Sequence, residues 1–135
     1  TIALGLAMQK TGATKIYADA FLSLFHGSSP GTVLFGMVIL SSICTHILSN
    51  NATAVLLLPI AVSTAATLGV DPRPFIIGIC FGASACFATP IGYQTNLLVY
   101  GPGRYRFSDF LKLGLPLNII VIVISSLLIP LFWPF

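Results

Sequence analysis

From residue 20 to residue 70 this chain carries no Asp, Glu, Lys or Arg, yet Thr45, His46, Ser49, Asn50, Asn51 and Thr53 stand in the middle of that run. Apolar sequence flanks the cluster, over residues 32–44 before it and 54–66 after it. Polar groups placed in hydrocarbon cost several kcal/mol each unless they find partners. The cluster therefore belongs either at a water surface or around something held inside a membrane. Every other feature of the chain bears on that choice.

The setting is a membrane. Only 7% of the 135 residues are charged and 56% are hydrophobic, where a soluble domain has about 25% charged residues. Charges fall in three islands, 10–19, 71–73 and 104–112, and the net charge of +3 is too small and scattered for nucleic acid. Twelve Gly and nine Pro suit transmembrane and broken helices. Cys44, Cys80 and Cys86 lie in apolar runs without paired spacing and read as small buried hydrophobes. At roughly 20 residues per span the chain holds about four or five membrane segments, which predicts an all-α membrane protein and a fragment of a larger one.

Residues 1–10 read as the end of a spanning helix. Residues 13–25 place Ile16, Tyr17, Ala20, Phe21, Leu24 and Phe25 on one apolar face, with Lys15 and Asp19 opposite. This predicts a helix lying in the membrane interface. Residues 26–31 form a turn that includes His26, and Ser29 and Pro30 start the next helix. Two helices follow, over 30–48 and 52–68, the second ending at Gly69. Each is roughly 25–28 Å long at about 1.5 Å per residue, against a bilayer core of about 30 Å. Length alone does not separate two full spans from a re-entrant hairpin over 30–68.

Residues 73–101 read as a discontinuous helix rich in small residues, which allow close approach in lipid. Its first half, 73–87, stops at a second polar run over 88–96 that includes Thr89, Pro90, Gly92, Thr95 and Asn96. Residues 113–132 form the last span, ending in an aromatic anchor at Trp133. The basic loop 104–112 falls on the cytoplasmic side by the positive-inside rule, so that the hairpin enters from outside.

The chain thus has two uncharged polar breaks, 45–53 and 88–96. A broken helix inside a membrane offers carbonyls at its C-terminal end, suited to Na⁺, and N–H groups with positive dipole at its N-terminal end, suited to an anion. Two such breaks at one locus can hold both without a charged side chain. Taken singly, the first break is also compatible with a capped turn between two spans, and the second with a proline kink. No carboxylate lies within an apolar segment to relay protons. No His-Glu-x-x-His and no carboxylate pair supports an intramembrane enzyme.

The run from Ser49, Asn50 and Asn51 through Ala52 and Thr53 to Pro59, Ile60 and Ala61 resembles the signature of the divalent anion/sodium symporter family. The Thr89-Pro90 break, the Tyr100-Gly101-Pro102-Gly103 turn and the stretch from Phe107 to Asn118 are similar to that family's C-terminal end. The resemblance implies one half of an inverted-repeat transporter, with the missing N-terminal repeat as a partner. It also implies an elevator-type mechanism, a homodimer, and residence in the cell (inner) membrane among lipid. The coupling ion would be Na⁺, held by Thr45, Leu48, Asn50 and Ala88, with no organic cofactor. The small inorganic or dicarboxylate anion would meet Asn50, Asn51, Thr89 and Pro90, and Ser49, Thr53, Thr95 and Asn96 complete the candidate set.

Asn51 stands where the common motif has Thr. With residues 92–96 it points to the sulfate-type branch. Alternatives are a di-/tricarboxylate symporter of the same family and an arsenite or cation carrier of the same superfamily.

Overall fold

A computed structural model describes residues 3, 6, 7, 10–25 and 27–135. The end of a spanning helix expected over 1–10 falls largely outside these residues, as does His26. Six helices follow: α1 (Ala13–Ser23), α2 (Pro30–Thr45), α3 (Asn50–Leu68), α4 (Arg73–Ser84), α5 (Gln94–Tyr100) and α6 (Phe107–Phe132). Among the described residues there is no strand. The fold is all-α, and α3 and α6 are long and apolar enough to cross a membrane.

Helices α2 and α4 pack most extensively and form the centre, with α3 and α6 against them and α1 against α3. Val33, Leu34, Met37 and Val38 of α2 meet Phe75 and Ile79 of α4 and Leu57, Ile60 and Ala61 of α3 in one buried cluster. Where α2 and α4 touch, Ser41 Oγ donates to Ile79 O at 2.9 Å, so a polar side chain between apolar helices is partnered. Pro30 opens α2, and Gly69 closes α3 at φ 70°, with Val70 N–H donating to Ala65 O at 3.1 Å.

Several expectations shift. The apolar face proposed for α1 splits, because the helix seats its small residues on the bundle. Thr14 and Ala18 are buried, and Phe21 and Phe25 pack on the core. Ile16, Tyr17, Ala20 and Leu24 face outward. Helix α2 ends at Thr45 rather than residue 48, and α3 begins at Asn50 rather than Ala52, because Ser49 Oγ accepts from Ala52 N–H at 3.3 Å and caps it. Helix α6 begins six residues before the expected 113. Asp109 carboxylate accepts the Arg106 N–H at 2.8 Å there and starts the helix early.

Of the three thiols, only Cys86 is buried. Cys44 is half-buried and Cys80 is exposed on the outer face of α4, so burial is not common to the set. Ser29 sits in Gly27-Ser28-Ser29-Pro30-Gly31, which by letter fits the nucleophile pattern Gly-x-Ser-x-Gly. That elbow joins a strand to a helix, whereas here Ser29 is the N-cap of α2 with no strand before it among the described residues.

Candidate functional site

Helix α4, expected to run to Phe87 as the first half of a discontinuous helix, ends three residues earlier at Ser84. The reason is that side chains from elsewhere take up the backbone of the unwound segment. Ser42 Oγ of α2 donates to Ala85 O at 2.9 Å. Asn96 Nδ2 of α5 donates to Cys86 O at 3.0 Å and to Thr89 O at 3.1 Å. Asn118 Oδ1 of α6 accepts from Phe87 N–H at 3.1 Å. Non-helical backbone is tolerated at membrane depth only when protein satisfies it. Here side chains from three helices, α2, α5 and α6, converge to do so.

The two breaks meet. Thr45, fully buried at the end of α2, donates its hydroxyl to Asn50 Oδ1 at 2.7 Å and so ties the end of α2 to the start of α3. Cys86 Sγ donates to the Thr45 carbonyl at 3.3 Å and joins the second break to the first. Gly92 sits in the same contact. A Cβ there would lie 1.8 Å from Cys86 Sγ and 3.1 Å from Thr45 O, so only glycine lets the chain pass.

Asn50 and Tyr93 stand between two cavities. One, of about 320 Å³, is lined by Ser49, Asn50, Asn51, Gly92, Tyr93, Gln94 and Thr95. The other, of about 240 Å³, is lined by Asn50, Ser84, Cys86, Phe87, Tyr93 and Asn96. Neither lining contains a charged side chain. The larger cavity lies at the small end of the range for ligand sites. It also opens on the first turn of α3, whose leading N–H groups have no partner within the helix and carry the positive end of its dipole.

Of the residues expected to meet an anion, Ser49, Asn50, Asn51 and Thr95 line the larger cavity and Asn96 the smaller. The Asn96 amide N–H groups are engaged with the break's own carbonyls. Thr53, Thr89 and Pro90 line neither cavity. Thr53 is fully buried one turn along α3, and the hydroxyls of Thr53 and Thr89 are buried without a hydrogen-bond partner. Of those expected around a cation, Thr45 and Asn50 are bonded to each other. Ala88 is buried in the break, and Leu48 is 39% exposed on the turn.

Four residues outside the expected set belong to this locus: Cys86, Tyr93, His46 and Asn118. Tyr93 was legible, since it lies inside the second polar run. Asn118 is an amide within an otherwise apolar span, and its position four residues after Gly114 and seven before Ser125 is the available signal. All three are buried and mark the face of α6 that packs inward.

The chain matches the citrate transporter family over residues 1–134. It is 42% identical over 130 residues to an uncharacterized transporter, YfbS, of Escherichia coli, covering 96% of this chain and 21% of the relative. It is 31% identical over 124 residues to sodium/sulfate cotransporter 1 of Chlamydomonas reinhardtii, covering 91% and 14%. It is 26% identical over 128 residues to the sodium-dependent dicarboxylate transporter SdcS of Staphylococcus saprophyticus, covering 95% and 24%. The chain spans about a fifth of the length of the curated relatives it matches first.

Two apolar helices long enough to cross a bilayer fit an integral membrane protein. On the match over residues 1–134 the chain belongs to the citrate transporter family, in line with the divalent anion/sodium symporter signature at its hairpin tip.

Proposed function

We propose that this chain is the second repeat of a sodium-coupled secondary transporter for a divalent oxyanion, sulfate in the first place, and that it works with a first repeat in a homodimeric elevator-type carrier. One observation carries the reading: the N-terminus of α3 opens, through Ser49, Asn50 and Asn51, on an uncharged polar cavity of about 320 Å³ shared with the second break. Amides, hydroxyls and a helix N-terminus bind an oxyanion without a fixed positive charge, so release is not blocked by an ion pair. The carbonyl end of α2 and the Thr45–Asn50 pair stand beside it and suit a hard cation. The helices over 30–68 then form a re-entrant hairpin, α1 lies at the interface, α4 and α5 form the broken helix, and α6 is the last span. The relatives named for sodium-linked transport of sulfate or of a dicarboxylate support Na⁺ as the coupling ion.

The test is uptake of radiolabelled sulfate and of radiolabelled succinate by proteoliposomes holding the whole carrier, with and without an inward Na⁺ gradient. Saturable sulfate uptake that needs the gradient is expected. Uptake of succinate alone moves the substrate to the dicarboxylate class. Uptake indifferent to Na⁺ contradicts the coupling.

A further inference from the structure

Helix α6 makes two separate contacts with the two peptide groups that flank Phe87. Gly114 lies so close that a Cβ would sit 2.1 Å from Phe87 O and 2.6 Å from Ala88 N. One turn later Asn118, 4% exposed, accepts from Phe87 N–H at 3.1 Å. The same amide reaches His46, with Asn118 Nδ2 3.0 Å from His46 Nε2. His46 Nδ1 in turn bonds Ser42 O, one turn back along α2.

The hydrogens of this chain follow from its fixed end. Phe87 N–H only donates, so the Asn118 atom facing it is the oxygen and the NH₂ group faces His46. His46 Nε2 is therefore the acceptor, and Nδ1 carries the proton donated to Ser42 O. Each side chain has one arrangement that satisfies all three contacts.

Both partners of Asn118 lie next to a residue that the family resemblance assigns to the cation. His46 follows Thr45, and Phe87 precedes Ala88. Neither adjoins Asn51 or Thr95, on the anion side. We propose that Asn118 is a positioning residue for the coupling ion, setting the distance between the end of α2 and the Cys86–Phe87 peptide, and so the placement of Ala88 beyond it, through its bonds to His46 and Phe87. The proposal rests on the sodium-coupled reading above. Groups that orient ion ligands without touching the ion typically change affinity by about 10–100-fold when removed.

The experiment is sulfate uptake by proteoliposomes of the whole carrier, measured against Na⁺ at saturating sulfate and against sulfate at saturating Na⁺. Asn118→Leu is expected to raise the half-saturating Na⁺ concentration about tenfold and to leave the sulfate KM at saturating Na⁺ within about twofold. A second pair keeps the test open if that variant does not fold. His46→Gln, whose amide oxygen can accept from Asn118, is expected to shift the Na⁺ curve less than His46→Leu. An unchanged Na⁺ curve in Asn118→Leu, equal shifts in both curves, or equal effects of the two His46 variants would overturn the proposal. Uptake by the unsubstituted carrier that ignores Na⁺ would overturn the coupling itself, a different result from Na⁺-dependent uptake that Asn118 and His46 do not tune.

Discussion

Asn50→Ala is expected to reduce Na⁺-dependent sulfate uptake by about a hundredfold or more while the protein still folds and inserts. Asn50 is the one side chain that lines both cavities and also accepts the Thr45 hydroxyl. On the proposed reading its removal takes away a polar contact to each ligand, and a hydrogen bond to a charged group contributes about 1.5–3 kcal/mol. Two such contacts together amount to about two orders of magnitude or more in rate or affinity. Folding is expected to survive because the α3 cap is made by Ser49 and Ala52, not by Asn50. The buried Thr45 hydroxyl loses its acceptor, a cost of about 1–3 kcal/mol that a melting curve in detergent will register. Normal transport by Asn50→Ala would remove this residue from the site.

Gly114→Ala is expected to be the most damaging single-methyl change in α6. The added carbon would overlap backbone atoms, Phe87 O and C at 2.1 and 2.3 Å and Ala88 N at 2.6 Å, which cannot rotate aside as a side-chain tip can. Either α6 backs away from the break, which breaks the Asn118–Phe87 bond, or the backbone around Phe87 must shift. Overpacking of this kind costs about 1–3 kcal/mol, with the upper end expected for a backbone clash. The measurement is thermal unfolding of the purified carrier in detergent, compared with Leu113→Ala. Leu113 is 78% exposed, so its truncation should move the transition far less. Equal shifts for the two variants would show that the close approach carries no weight.

The helices were legible in the chain because apolar runs, Ser49, Pro30 and Gly69 are local signals. So was the pairing of two uncharged breaks, since each stands out against charge-free apolar sequence. The exact helix ends were not. Helix α4 stops at Ser84 because Ser42, Asn96 and Asn118, remote in sequence, bond the backbone that would have continued it. No pattern around residues 85–88 encodes those partners. The His46–Asn118 bond joins residues 72 apart and is visible only once α6 is laid against α2. Helix α1 misled for a related reason: its apolar periodicity named a face, but small Thr14 and Ala18 decided which side could approach the bundle.

The central claim is that one locus, formed where the two breaks meet, holds the anion and its coupling ion side by side. Equilibrium binding of radiolabelled sulfate to the purified whole carrier, titrated at rising Na⁺ with ionic strength held constant by choline, tests it most directly. Two ligands coupled at one locus must raise each other's affinity by the same factor. Sulfate affinity is therefore predicted to climb with Na⁺, Na⁺ affinity to climb equally with sulfate, and both effects to vanish in Asn50→Ala. Sulfate binding of the same strength with and without Na⁺ would contradict it.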